Sequence, residues 1–454
     1  MRDRIASDIQ HPSEIDEFAQ RNFWFGSVGF DSDMLTPPLQ HDMSVDIAVV
    51  GGGFTGLASA YHLATHHPDK KIVLLERGCC GWGASGRNGG FADTGIRGLW
   101  KICAEQGPEA ARPIYDITRD GLASIRRFVE EHGVDCDFAP NGSMEMATEE
   151  SHIAELHEEK RVYDALGLEA AVLDSGALRQ RLKSGRYLAA LWYPDGATVN
   201  PFKLARGMKR VVEEKNVDIY ERTAVVKIEP GTPVTVVTES GRVRADALVL
   251  ATNGYSAALG FFKRRIIPMC TYIIATTPLS EAQLASIGWA GREKLSDMRP
   301  FFNYFHLSAD NRIIFGGEGA RYNYGGALCK GEHQPTFRKL RSSLFQSFPQ
   351  LEGIDITHAW GGTLGMSLDL VPSVGMLGEN PNIFYALGYS GEGVVLSQVA
   401  GRIINELYSG NENVLTRVFL VNKPVPYSGP EPFRYLAISG YRAYLRRFGA
   451  KVTH

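Results

Sequence analysis

Three glycine-rich stretches carry the residues best suited to chemistry, and the first is built to hold a pyrophosphate. Gly51-Gly52-Gly53-Phe54-Thr55-Gly56 has the spacing GxGxxG, which means little by itself in a chain with 49 glycines. Its context gives it force. It follows the apolar run Ile47-Ala48-Val49-Val50, it opens a stretch with helical spacing over 57–67, and Glu76 ends the next apolar run twenty residues past Gly56. In such a turn Gly51 permits the bend from strand to helix, Gly53 lets a phosphate reach the backbone, and Gly56 brings helix against strand. The helix start at Phe54 and Thr55 offers N–H groups and a positive dipole end to the anion. Glu76, with Arg77 beside it, is expected to accept hydrogen bonds from ribose hydroxyls.

The second stretch, residues 81–90 (GWGASGRNGG), follows the Glu76 strand and offers Ala84, Ser85, Arg87, Asn88, Gly89 and Gly90 where a second nucleotide half would extend. Residues 251–254 (ATNG) end another buried run and contribute Ala251, Thr252 and Gly254, with Val225 from a Val-dense segment nearby. The third stretch, residues 388–394 (GYSGEGV), contains Gly388, Tyr389, Ser390, Gly391, Glu392, Gly393 and Val394 after the apolar run Ile383–Leu387. An aromatic strand, Phe301–His306, places Phe302, Tyr304 and His306 on one side. Tyr272 and Trp360 are further ring candidates, and each of these rings is read either as core or as the wall of a site.

These residues need elements that bring them together. Residues 47–50 and 71–76 read as parallel strands that make a βαβ unit with the helix at 57–67, and 245–251 reads as a further buried strand. Helical patterns occupy 115–132, 151–166 and 200–215, and Phe301–Gly317 reads as a hairpin turning at 308–311. Ile266–Leu279 is interrupted by Thr271, Thr276, Thr277 and Pro278, so it reads as a buried strand and not as a membrane span. The chain has 454 residues, 44% hydrophobic, which is material for more than one core. Lys and Arg number 48 against 51 Asp and Glu, and the net charge of −3 provides no global attraction to nucleic acid. Asp3, Asp8, Glu14, Asp16 and Glu17 break any export signal, and six cysteines without paired spacing point to reduced thiols in the cytoplasm. No metal-ligand spacing is present, and the run Lys263-Arg264-Arg265 reads as solvated.

Taken together, GGGFTG, GASGRNGG and GYSGEGV make the chain resemble, from about Phe23 onward, the FAD-dependent amine oxidoreductases of the D-amino acid oxidase superfamily, in the gamma-glutamylputrescine oxidase-like and glycine/sarcosine oxidase-like branch. The resemblance implies an α/β fold in which a two-dinucleotide-type Rossmann domain interleaves with an α+β substrate domain on a mostly antiparallel sheet. It implies an arm over 1–40, an FAD-binding domain from 41–100, 196–260 and 355–410, a substrate domain from 101–195 and 261–354, and a tail over 411–454. It also implies that FAD is noncovalent, because the cysteine used by covalently flavinylated relatives has no counterpart in 360–375. In the family the helix after GYSGEGV points at the flavin pyrimidine ring, where N–H groups stabilise the charge of the reduced ring.

The implied reaction is oxidation of a small primary or N-methylated amine or amino acid, hydride passing to flavin N5 and the resulting imine hydrolysing to an aldehyde or keto acid. O2 is the expected acceptor, with H2O2 as product. A dehydrogenase with another acceptor, and a protein whose FAD serves assembly, are the alternatives. Tyr304, His306 and Glu392 are the candidates for positioning substrate. Glu392 stands where many relatives have His or Gln, and His306 where many have Arg; near the ring, facing solvent, and paired with a substrate cation are all open readings of Glu392.

Overall fold

The computed structural model describes residues 12–449, so Asp3 and Asp8 lie outside the described residues. Two large sheets organise the chain. In the first, Ser373–Leu377, Asn380–Leu387, Arg242–Leu250, Met43–Val50, Ile72–Leu75 and Asp218–Tyr220 lie side by side in that order. From Asn380–Leu387 to Asp218–Tyr220 every neighbouring pair is parallel. Parallel pairing needs crossovers that cover both faces, which is why Ile72–Leu75 is apolar and buried at every position.

The helices Phe54–His66, Pro108–Glu131, Pro201–Glu214 and Gly393–Tyr408 supply one cover, packing Leu57, Leu63, Leu204, Val395 and Val399 into a single cluster with Ile47 and Val49. The hairpin of Val225–Glu229 and Val234–Thr238 supplies the other, with Val234 and Val236 against Val45 and Leu248. The strand and helix positions read from the sequence are therefore present, and the fold is the expected α/β arrangement with a second sheet interleaved.

The second sheet is mostly antiparallel. Arg321–Tyr322, Ile267–Thr276, Ile313–Gly317, Asn303–Leu307, Lys294–Asp297, Ser143–Ala147, Ala189–Tyr193 and Ala171–Leu173 follow one another, with Ile356–Met366 paired to Ile267–Thr276. That strand falls within 355–410, the segment expected to belong to the FAD-binding domain. Three glycines, Gly361, Gly362 and Gly365, weaken the strand signal there. They serve close approach: a Cβ on Gly361 would meet Tyr272 at 2.7 Å, and one on Gly362 would meet Arg87 at 3.0 Å.

The described part of the amino-terminal arm is a clamp more than an appendage. Trp24 and Phe25 are buried, and Phe25 stacks on Phe202 with centroids 3.7 Å apart. The Trp24 indole N–H donates to the Asn88 carbonyl at 2.8 Å, and Asn22 Nδ2 donates to the Gly86 carbonyl at 3.1 Å. Both acceptors lie in the 81–90 loop, so the arm fixes that loop from behind. Trp24→Ala removes a fully buried ring and a hydrogen bond, and is expected to cost about 3–5 kcal/mol of stability, read as a lowered urea midpoint.

Candidate active site

The turn at 51–56 has the geometry its spacing predicts. Gly51 adopts φ +108°, and a Cβ there would sit 2.7 Å from the Ala251 carbonyl oxygen, so both conformation and space require glycine. A Cβ on Gly56 would collide with the Gly51 carbonyl, which is how close helix and strand come. Gly53 is the extended residue that precedes the Phe54–His66 helix. A side chain at Gly53 would meet Ser85 Oγ at 2.9 Å, the oxygen that accepts the Phe54 N–H at 2.8 Å. One of the N–H groups at the helix start is thus held by the second loop.

Glu76 has a role the sequence did not reveal. Its two oxygens accept the N–H groups of Gly52 at 2.7 Å and Gly78 at 2.8 Å, tying the turn to the end of the neighbouring strand. Burial pushes its carboxyl above the usual range, while those two donors pull it down. Each oxygen keeps acceptor capacity for a ribose hydroxyl.

Much of the 81–90 loop is held by its own side chains. Asn88 Nδ2 donates to the carbonyls of Ala84 and Ser85, and its Oδ1 accepts the Gly90 N–H at 2.8 Å. Arg87 donates from Nε to the Trp82 carbonyl at 2.7 Å and lies 3.8 Å over the Phe18 ring. The other two glycine-rich segments are joined directly, since Asn253 Oδ1 accepts the Gly388 N–H at 3.0 Å. The Tyr389 hydroxyl meets Thr55 Oγ1 at 2.8 Å, which fixes the third stretch against the first helix.

A cavity of about 2890 Å³ runs past all of these segments. Gly51, Gly53, Phe54, Thr55, Glu76 and Arg77 line it at the turn. Ala84, Ser85, Arg87, Asn88 and Gly89 line it along the loop, and Val225, Ala251, Thr252 and Gly254 opposite. Tyr389, Ser390, Gly391, Glu392, Gly393 and Val394 bring the start of the Gly393–Tyr408 helix to it. Gly56, Gly90 and Gly388 are not on its surface; they set the backbone from behind it.

The second sheet closes the far end, and strand register decides which side chains face inward. Glu145 pairs with Ser296, Ser296 with Tyr304, and Tyr304 with Gly316, making one row across four strands. Tyr193, Ser143 and Lys294 form the next row. Because side chains alternate along a strand, both rows share a face, and Tyr193, Glu145, Lys294, Ser296 and Tyr304 all line the cavity. Phe305, one residue on, points the other way into the core with Phe315 and Phe348.

Charge is concentrated at this end. Lys294 is buried, pairs with Asp93, and lies 5.1 Å from the centroid of the Phe91 ring. Burial pushes it down to about 8, and Glu392 pulls the other way. Glu392 itself, which lines the cavity, pairs with Arg97, Oε1 to Nε at 3.1 Å. Glu145 hydrogen-bonds Glu159 of the Glu150–Ala165 helix, and burial raises both carboxyls, Glu159 further because Glu145 lies beside it.

Tyr304 reaches the cavity, its ring so close to Gly89 that a Cβ there would meet it at 2.7 Å, and burial raises its hydroxyl. His306 does not. It shares the Tyr304 face but lies behind the wall, stacked on Trp24 with centroids 6.0 Å apart, its Nδ1 against the Leu307 carbonyl. Trp360 and Tyr272 are likewise buried away from the cavity.

Lys294, Asp93, Arg97, Glu145 and Glu159 escaped the sequence reading. Ser143–Ala147 alternates polar Ser143 and Glu145 with Met144 and Met146, and Lys294–Asp297 alternates Lys294 and Ser296 with Leu295. That alternation was visible, but it equally describes a strand with one face in water. Only the covering helix turns the polar face into a pocket.

The glycine turn, the parallel sheet and the long cavity define a dinucleotide-binding protein. Residues 46–407 match the family of FAD dependent oxidoreductases, and the chain belongs to it. It is 34% identical to gamma-glutamylputrescine oxidoreductase of Escherichia coli (strain K12) over 379 residues, 82% of this chain and 85% of that protein. It is 31% identical to the probable oxidoreductase OrdL of Haemophilus influenzae (strain ATCC 51907 / DSM 11121 / KW20 / Rd), covering 90% and 93%. Among solved structures, glycine oxidase from Geobacillus kaustophilus superposes with a TM-score of 0.70 at 20% identity, covering 82% of this chain and 96% of that one. L-proline dehydrogenase from P. horikoshii superposes with a TM-score of 0.68 at 20% identity, covering 85% and 96%.

Gly53→Val places a branched side chain against Ser85 Oγ and in the path of the phosphates. The purified variant is expected to be colourless while keeping its circular dichroism spectrum; retained yellow colour would move the phosphate site elsewhere. His306 supplies a pH test. Burial lowers it from 6.5 to about 4, so between those values the unfolded chain binds the extra proton and stability falls as pH falls. His306→Phe should remove that slope, worth up to tenfold in the unfolding equilibrium per pH unit, while turnover changes by no more than a few fold.

Proposed function

We propose that the chain oxidises a small primary or N-methylated amine or amino acid, using FAD bound noncovalently. The observation that carries the reading is the pair of inward-facing rows on the second sheet, which end the same cavity that begins at the phosphate turn. When bound, the flavin supplies a hydride acceptor at N5, and the imine left behind hydrolyses to an aldehyde or keto acid.

An aliphatic amine is protonated at neutral pH and must lose that proton before it gives up hydride. Phe91, Phe302, Tyr304 and Tyr193 exclude water at the far end and favour the neutral amine. Glu145, its carboxyl raised by burial and hydrogen-bonded to Glu159, is placed to take the proton from the ammonium. Lys294, with Asp93, and Arg97, with Glu392, hold charge close by and orient an anionic substituent where the substrate has one. Tyr304 and Glu392 thus keep positioning roles, and His306 acts through the wall by supporting Gly89 and Phe91.

A nitrogen-bearing substrate agrees with the similar proteins, which include a gamma-glutamylputrescine oxidoreductase, a glycine oxidase and an L-proline dehydrogenase. Noncovalent binding rests on the lining, which holds no cysteine among the described residues. O2 as acceptor, with H2O2 formed, is the favoured branch, and a dehydrogenase with another acceptor is the alternative. The first sheet with its helices is the FAD-binding half and the second sheet the substrate half. The described cysteines are free, in keeping with a reducing, cytoplasmic setting.

Mixing the yellow protein anaerobically with a panel of amines and small amino acids should bleach the flavin with at least one of them, faster as pH rises and the neutral amine is populated. NADH and NADPH should reduce it slowly or not at all. Rapid reduction by NADPH with silence across the panel would remove the amine reading. Admitting air to the bleached enzyme distinguishes oxidase from dehydrogenase, since only the former regains colour at once with formation of H2O2.

A further inference from the structure

The tail holds a feature that amine oxidation does not use. Phe433–Phe448 is a sixteen-residue helix with four arginines and no acidic residue. Its inner face is anchored: Ile438 packs on the cluster of Ile267, Met269 and Tyr322, and Leu445 is buried. Arg442 and Arg446 lie 5.1 and 5.7 Å over the Phe301 ring. The outer stripe is uncovered among the described residues. Phe433 is 69% exposed, Tyr441 55%, Tyr444 49% and Phe448 46%, at helical spacing along one side. Four large rings left in water on one helix are far outside the scatter of single exposed apolar residues that any surface carries.

We propose that this helix seats the protein on the surface of an anionic lipid bilayer, its aromatic stripe entering the headgroup layer. The charge pattern selects this occupant. Arg447 is exposed beside the stripe, 5.6 Å over the Phe448 ring, and Arg446, on the side that meets Phe301, is exposed as well; neither has an acidic partner among the described residues. The exposed run Lys263-Arg264-Arg265 adjoins the entry to the helix, where Arg264 Nη1 reaches the Tyr427 hydroxyl at 3.5 Å and the Arg264 carbonyl accepts the Ser428 N–H at 2.7 Å. Aromatic rings flanked by arginines suit the boundary between headgroups and acyl chains, and basic residues within reach of an anionic leaflet add attraction the overall charge of −3 does not predict. A second copy of the chain fits less well. Pairing two such helices brings arginines together with no carboxylate on either to meet them. Arg434, held by Glu431, and Pro300 contribute to the cavity lining, so it is the inner side of the helix that borders the cavity.

The test uses the full-length holoenzyme and vesicles of phosphatidylcholine with and without phosphatidylglycerol. Cosedimentation is expected with the anionic vesicles only, and it should weaken with added salt. Arg446→Gln with Arg447→Gln should reduce partitioning about fivefold per residue, and Tyr444→Ser with Phe448→Ser should abolish it. Flavin content and amine turnover in solution should not change in either pair, which separates this inference from the catalytic reading. Absence of binding to anionic vesicles would overturn the proposal. So would equal binding to the neutral ones, or a solution dimer that the Tyr444→Ser, Phe448→Ser pair dissociates, which would make a second copy the occupant. The arginine pair lies on the surface, so the test stands even where the aromatic pair lowers stability.

Discussion

The backbone between Val50 and Thr55 follows its path only because side chains are missing from it. Gly51 passes against the Ala251 carbonyl, Gly56 against Gly51, and Gly53 against Ser85, with no room for a Cβ at any of the three. Glu76 then holds the turn by the Gly52 N–H while its other oxygen takes the Gly78 N–H, and Ser85 holds the helix start by the Phe54 N–H. The support continues outward, because Ser85 sits in a loop that Asn88 ties internally and that Asn22 and Trp24 hold from the arm. Damage to the Trp24 ring therefore reaches the glycine turn through three hydrogen-bonded steps. An anion site made of backbone N–H groups is only as well aimed as the segments that press on it.

The far end of the cavity works by a different economy. Its groups are charged, partly stripped of water, and matched in pairs: Lys294 with Asp93, Arg97 with Glu392, Glu145 with Glu159. In a medium of low polarisability such pairs interact strongly, and a lone charge there is costly. A ligand that brings its own charge must therefore replace or complement a partner already present, which makes this end selective about where a substrate carries charge. The two like carboxyls are the uneven pair. They are comfortable only while they share a proton, and so they respond to any cation that comes near.

How much of this was legible in the sequence depended on whether a residue's role was local. The turn at 51–56 declares itself because strand, glycines, helix and acid all fall within thirty residues, and its local backbone geometry is as read. The hairpin at Phe301–Gly317 and the helix before Lys215 were legible for the same reason, as local periodicity. Lys294 and Glu145 were not, because their meaning arises from register between strands 150 residues apart and from a helix laid over them. His306 and Tyr304 share a face, as their spacing requires, yet only packing by Trp24 and Phe91 tells which of them sees the cavity. Strand Ile356–Met366 was hidden by glycines that exist for its neighbours' sake. The rings of the tail, judged singly, gave no hint of a stripe.

The interleaving of the first sheet sets a timetable for the newborn chain. Met43–Val50, its central strand, finds its Arg242–Leu250 partner about 200 residues later, and that strand pairs in turn with residues near 385. At about 5–20 residues per second of synthesis, the apolar edge of Met43–Val50 waits on the order of 10–40 s for its neighbour to emerge. Contacts so distant in sequence also form slowly once available. Until the Gly393–Tyr408 helix has left the ribosome and docked on Phe54–His66, the phosphate turn lacks its last packing partner. Cells that make this protein faster than they can shelter that edge will collect aggregates, whatever their supply of flavin.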